Sequence, residues 1–384
     1  MSLSVNTNLN SLTAQRNLNS NQGSLATSMQ RLSSGLRVNS AKDDAAGLAI
    51  SERMNAQVRG LTVAARNAND GISLAQTAEG SLGKVGDMLQ RMRELAVQAS
   101  NATNSQTDRN ALDSEVTALK SEIGRVAAQT SFNGTKLLDG TFTAQAIQVG
   151  SNAGEIININ SIADVTVANL GGTTNIATTS ASAAGMSGFA TAIAAGDVLI
   201  NGTDIGVVNA AGSALERANQ MVDAINKVSA QTNVGASYDA ATGQISLRSN
   251  AGAITMTGAL DDATVAGFDN TTGTAAATPT TGIAGLNVQS FGSAQTAMVQ
   301  IDAALTQVNS ARADLGALQS RFENVVSNIQ IGVENTSAAR GRIIDADFAA
   351  ETANMSRANI LQQAGTAMVA QANQQPQQVL TLLR

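Results

Sequence analysis

Among its 384 residues the chain has no cysteine and no histidine. The first absence removes disulfides and thiolate nucleophiles; the second removes imidazole bases and the commonest metal ligand. Tryptophan is also missing, Tyr238 is the only tyrosine, and aromatics make up 2% of the chain. Aromatic side chains dominate core and pocket energetics, so their scarcity argues against a deep ligand pocket. Positive charge is in short supply: 23 Lys and Arg against 29 Asp and Glu give a net charge of −6. No basic stripe is left over for nucleic acid. No apolar run approaches the roughly twenty residues that a membrane span requires. The opening Met1-Ser-Leu-Ser-Val-Asn-Thr-Asn has neither a basic n-region nor an apolar h-region. The expectation is that no secretory signal peptide is present and that any export leaves the chain uncleaved.

What the chain does contain is a repeated rhythm. Hydrophobic residues are 43% of it, mostly Ala, Leu, Val and Ile. From Met54 they recur at spacings of four and three: Val58, Leu61, Ala65, Ala68, Ile72 and Ala75, then Leu82, Val85, Leu89, Met92, Ala96 and Ala99. The same rhythm returns as Met298, Ile301, Leu305, Val308, Leu315, Leu318, Phe322, Val325 and Ile329. A seam of this period needs a partner helix to cover it. The two ends of the chain are therefore expected to fold as one antiparallel bundle.

Between and beyond these seams the composition changes. Residues 1–39 carry a narrow stripe of Leu18, Leu25, Met29, Leu32 and Leu36, marginal as an isolated helix. Asn39 to Asp44 reads as a helix start, with a helix following to about Asn101, roughly 85 Å of it at 1.5 Å per residue. Ser105 to Asp108 resembles a capping box that opens a second helix. Phe142 to about Val167 reads as hairpin strands. Gly-, Thr-, Ala- and Asn-rich stretches at 171–195 and 262–284 read as linkers around a small ββαβββ unit. Its strongest signal is Asn201-Gly202, a type I′ turn between Val198–Ile200 and Thr203–Ile205. A last helix starts after Asp345-Ala-Asp347 and carries Phe348, Met355, Leu361 and Met368 before Pro376 interrupts it. The fold class is then mainly α, with a β-hairpin and an inserted α+β domain on a long antiparallel bundle.

Chemistry-bearing patterns are weak. Gly83-Lys84 lacks the flanking Gly and Ser/Thr of a phosphate loop and sits mid-helix. Asp43-Asp44 and Asp345-Ala-Asp347 are acids of helix first turns. Asp261-Asp262 lacks the spacing of a calcium loop. Abundant hydroxyls have no histidine to activate them. No catalytic residue, cofactor or metal is expected. Gln90 to Gln98 reads as a solvated helix face with charge pairs or as a recognition patch. Val379, Leu380, Leu382 and Leu383 would lie bare unless the C-terminal segment assembles with copies of itself.

Several stretches resemble bacterial flagellin, the family of flagellar filament subunits: Ser33 to Gly47, Asn67 to Ile72, Arg93 to Gln98, Gln129 to Gly134, Asn359 to Gly365, and the ending from Asn373 to Arg384. The likeness covers about the first 170 and last 100 residues, and the middle unit resembles an insertion motif of many flagellins. This resemblance implies an inner coiled-coil layer of 1–40 with 345–384, a helical layer with a β-hairpin of 41–172 with 284–344, and an outer insertion of 173–283. Assembly residues would be Leu18, Leu25, Met29, Leu32 and Leu36 on one segment, and Phe348, Met355, Leu361, Met368, Leu380 and Leu383 on the other. It further implies a helical homopolymer on the cell exterior, exported through the flagellar type III apparatus, with export-chaperone, filament-cap and hook-junction partners. Gln90, Arg91, Leu95 and Glu115 match positions that host flagellin receptors contact. The rival readings are a flagellin-like hook–filament junction protein and a surface adhesin acting through the insertion.

Overall fold

The computed structural model describes residues 8–101, 103–239, 242–249, 252–259, 266–268 and 274–382, with side chains described as far as residue 374. The fold is mainly helical, with small sheets in the middle of the chain. It divides into two compact units.

The first unit comprises Met1–Ala68, Gln148–Ile156 and Asn324–Arg384. Its main elements are α1 (Leu9–Ser34), the start of α2 (Ala45–Ala99), the end of α6 (Phe291–Ile344) and α7 (Phe348–Leu382). The Asn8 side chain caps α1 by accepting from the Ser11 amide at 3.1 Å, and the Gly35 amide closes it onto the Arg31 carbonyl at 2.9 Å. The helix propensity of this polar segment is modest, so a partner must support it. That partner is α7, which runs antiparallel to it. Asn8 Nδ2 donates to the Ala372 carbonyl (2.7 Å), Ser11 Oγ meets Asn373 Oδ1 (2.7 Å), and Arg31 reaches Glu351 (3.9 Å). Midway, Gly365 presents no side chain where Leu18 crosses. Backbone bonds then stitch the end of α1 to the α6–α7 junction, from the Arg37 amide to the Ile344 carbonyl (2.6 Å) and from the Ala346 amide to the Gly35 carbonyl (2.9 Å). Asp347 caps α7 through the amides of Ala349 and Ala350. The expected break at Pro376 does not occur: α7 continues to Leu382. Proline removes a single main-chain donor, and the helix proceeds with that one bond unmade.

The second unit comprises Asn69–Ile147 and Ile157–Glu323. Here the remainder of α2 and the first part of α6 run antiparallel. Gly71 faces Phe322, Glu79 bonds Gln319 (2.9 Å), Gly86 faces Val308, and Arg93 pairs with Asp302 (2.7 Å). The seam between them is buried, with Ala75, Leu82, Val85, Leu89, Met92, Ala96 and Ala99 on α2 and Ile301, Val308, Leu315 and Phe322 on α6. Helix α3 (Gln106–Gln129) adds Val116, Ile123 and Ala127 to this core. Its N-terminus carries the expected capping box, Ser105 and Asp108 each bonding the other's backbone amide. Strands β1 (Ser131–Phe132) and β2 (Thr135–Lys136) form a tight hairpin, and β3 (Thr143–Gln148) pairs with β4 (Ile156–Ser161).

Further along this unit lies a small α+β body with its own core. β5 (Thr173–Ser182), β8 (Val234–Asp239), β9 (Gln244–Ser249) and β11 (Thr278–Thr281) make a sheet in the order β11-β5-β9-β8. β6 (Leu199–Ile200), β7 (Thr203–Asp204) and β10 (Met256–Thr257) make another. The β6–β7 turn has φ of 50° at Asn201 and 79° at Gly202, the positive pair a type I′ turn requires. α4 (Ala214–Lys227) packs Met221 and Ile225 against Ile200, Val234, Ile245 and Phe268, and a single helical turn, α5 (Ser229–Thr232), follows it. β5 and β11 correct the reading of 171–195 and 262–284 as linkers. Their β-branched threonines suit a pleated ladder, but only pairing with distant strands reveals it.

Arg217 on α4 is buried in this body and donates Nη2 to the carbonyls of Phe189 (2.6 Å) and Thr191. Burial alone lowers its pKa. The chain enters and leaves the body at one place, where the Gly282 amide bonds the Gly172 carbonyl at 3.0 Å. Gly282 sits at φ +68°, and a Cβ there would collide with the Ala168 carbonyl. Gly282→Ala is therefore expected to cost about 2–4 kcal/mol of stability. Equilibrium urea unfolding would read this, and an unchanged midpoint would show that the neck relaxes freely.

Candidate assembly surface

The α1–α7 pair buries small and polar side chains, Ser11, Ser28, Glu351 and Ala358, and covers its large apolar ones only in part. Leu18, Leu25, Leu32, Leu36 and Met355 are half-buried. Met29, Phe348, Leu361 and Met368 are exposed, Met368 at 64%. Leu383 lies outside the described residues, as does the side chain of Leu380. Sequence periodicity missed Leu9, Leu12 and Ile360, which are also exposed. They lie off the four-three stripe, and only the placement of α1 against α7 shows which flank stays uncovered. A groove of about 740 Å³ runs between the two helices, bordered by Ala14, Leu18, Leu361, Ala364 and Met368. Polar Asn10, Thr13, Asn17, Ser20, Asn21 and Gln371 border it too, so the exposed apolar side chains of the pair alternate with polar ones.

The charged stretch of α2 forms a second candidate surface, in the second unit. Arg91 pairs with Glu94 and Glu115 at 2.9 and 2.8 Å, with all three side chains well exposed. The hydrogen bonds that Arg91 donates to Glu94 and then to Glu115 raise its pKa. Exposed pairs of this kind contribute at most about 1 kcal/mol, so they shape the surface more than they stabilise it. Gln90 is exposed beside them, but Leu95 is not: it is 1% exposed. Lying three residues beyond Met92 and next to Ala96, it falls within the inward arc of the seam. This face presents Gln90, Arg91 and Glu115, while the expected fourth residue, Leu95, packs inward.

Among the described residues no cluster of three or more acidic side chains is placed to hold a metal ion. Among them, too, no helix is long and apolar enough to cross a membrane.

Long antiparallel helices, with exposed apolar side chains on the α1–α7 pair, are the features of a structural protein that makes contacts with other chains. The chain's relatives agree. Residues 5–143 match the bacterial flagellin N-terminal helical region, 298–383 the C-terminal helical region, and 197–251 the flagellin hook IN motif. Flagellin D of Vibrio cholerae is 39% identical over 391 residues, and flagellin C of the same species 42% over 398. Polar flagellin B/D of Vibrio parahaemolyticus is 41% identical over 393 residues. Each of these alignments spans all of both chains. A solved structure of FliC from Burkholderia pseudomallei aligns at 23% identity and a TM-score of 0.38, covering 65% of this chain and 99% of that one. The chain belongs to the bacterial flagellin family, whose members are structural proteins. It is a subunit of the helical flagellar filament, the extracellular organelle of motility.

Because Met368 is exposed on the helix pair, Met368→Glu is expected to change the monomer's stability by no more than about 0.5 kcal/mol. A large drop in its thermal midpoint would mean that the strip is already covered within the subunit.

Proposed function

We propose that the subunit polymerises by burying the α1–α7 strip against the same helices of neighbouring copies. In this reading 1–40 and 345–384 build the inner core of the filament. Residues 41–172 and 284–344 surround it, and 173–283 form the outer insertion. The observation that supports this most directly is the exposure of Met29, Phe348, Ile360, Leu361 and Met368 on a single helix pair. A contact between unlike patches repeated by a screw operation does not close on itself, so it grows a helix. Full-length identity to named flagellins favours the filament subunit over the junction protein, which would use similar ends in few copies. The reading is non-enzymatic: with no histidine or cysteine in the chain, hydroxyl nucleophiles have no imidazole base.

Export follows the same logic. A chain without cysteine forms no crosslink that would block threading through the flagellar type III apparatus. An export chaperone would cover the C-terminal segment until assembly, and the filament cap and hook-junction proteins would meet the same helices at the filament's two ends. A chain lacking 345–384 should remain a soluble monomer, and Met368→Glu should slow polymerisation severely. Sedimentation and electron microscopy would read both. Filaments formed by the truncated chain would refute the inner-layer assignment.

Host recognition is a second reading, which the exposed Gln90–Arg91–Glu115 face supports. Arg91→Ala and Glu115→Gln should weaken receptor activation by monomer while leaving filament formation intact. Equal activation by wild type and both variants would place recognition elsewhere on the chain.

A further inference from the structure

The sheet that contains β5, β8 and β9 has two different faces. Alternation puts Ala177, Val234, Ile245 and Leu247 into the hydrophobic core. On the other face Ser246 lies opposite Ser180 and Ser237, and Arg248 opposite Thr178 and Gly235. This hydroxyl-rich face and the first turn of α6, from Phe291 to Thr296, line one open cavity of about 680 Å³. Its volume falls within the range of small-ligand sites. Its walls combine hydroxyl groups with the apolar surfaces of Ala236, Leu247 and Phe291.

Arg248 is the one charged side chain among the described residues lining this cavity. It is half-buried, and its Nε and Nη2 are shielded from solvent with no hydrogen-bond partner. Desolvation pulls its pKa down to about 10. Arg217, which is fully buried, gives its Nη2 to two backbone carbonyls and leaves its Nε and Nη1 unpartnered; unlike Arg217, Arg248 borders an open cavity. Leaving a guanidinium desolvated and unpaired is costly, and its planar donor fork matches a carboxylate or phosphate. The start of α6 directs the positive end of its dipole into the same space.

We propose that this cavity binds an acidic sugar, with its carboxylate on Arg248 and its hydroxyls on the serine- and threonine-lined wall. The hydroxyl groups of Thr178, Ser180, Ser237 and Ser246 both donate and accept, as a polyhydroxylated ring requires. Gly235 and Gly292 leave room for a ring, and Phe291 offers an apolar surface for its C–H face. A bare oxyanion would use the arginine but leave the hydroxyl wall idle.

Calorimetric titration of the full-length monomer with glucuronate, glucose and inorganic phosphate tests this. Glucuronate is expected to bind, and glucose and phosphate to bind at least tenfold more weakly. Arg248→Gln should weaken glucuronate binding at least tenfold, and Ser246→Ala about threefold, with circular dichroism confirming that each variant folds. If Arg248→Gln does not fold, the Ser246→Ala series and ligand-induced amide shifts on β9 decide the matter. No glucuronate binding, or binding unchanged in these variants, would overturn the proposal. Phosphate binding as tightly as glucuronate would also overturn it, since the site would then read only the oxyanion.

Discussion

Burial of an alanine-rich seam between two antiparallel helices, α2 and α6, is the interaction on which the second unit rests. An alanine Cβ contributes little by itself, about 0.8 kcal/mol per buried carbon, so the seam works by length and by close approach. Gly71 and Gly86 lie where Phe322 and Val308 cross, allowing large residues of one helix to meet bare backbone of the other. Polar ties then fix the register from outside. Arg93 holds Asp302, Glu79 accepts from Gln319, and Lys120 of α3 donates to the carbonyls of Ala284 and Leu286. Asp113 accepts from the Val288 amide and the Gln289 side chain, fastening the segment that leads into α6. Core residues and surface ions thus specify the same alignment.

The first unit follows a different rule. Its helix pair α1–α7 approaches through Ser11, Asn373, Gly365 and Glu351, and leaves its larger apolar side chains outward. A contact of this kind aligns two helices without consuming the hydrophobic surface they carry. Met29, Phe348, Leu361 and Met368 stay uncovered within the subunit.

Periodicity made the helices and the buried seam legible in the sequence, because the repeat that specifies a helix face is local. The Asn201-Gly202 hairpin and the Ser105–Asp108 cap were legible for the same reason, each being set by two to four consecutive residues. What stayed hidden depends on partners far along the chain. β5 looks like a threonine-rich linker until β9 and β11, many residues later, pair with both of its edges. The position of Leu95 is ambiguous by spacing alone, since it borders the seam; packing decides that it faces inward. Among the large apolar side chains of α1 and α7, the spacing picks out Leu18, Leu25, Leu32 and Leu36 but not Leu9, Leu12 and Ile360, whose exposure depends on how the partner helix is laid down. Neither buried arginine carries any local signal, since the burial of a charge is a property of the packed structure.

The hydrogen bond between Gly172 and Gly282 brings the two ends of a 109-residue excursion into direct contact, with Thr173 and Thr281 paired just above it. Closure at a single point means that the chain leaves and rejoins the helical part across a short, fixed span between two backbone positions. Any foreign domain whose own termini lie side by side offers the same span. The neck is thus a socket, a place where the path of the chain through α2 and α6 stays the same whatever the length of the segment that leaves and returns there.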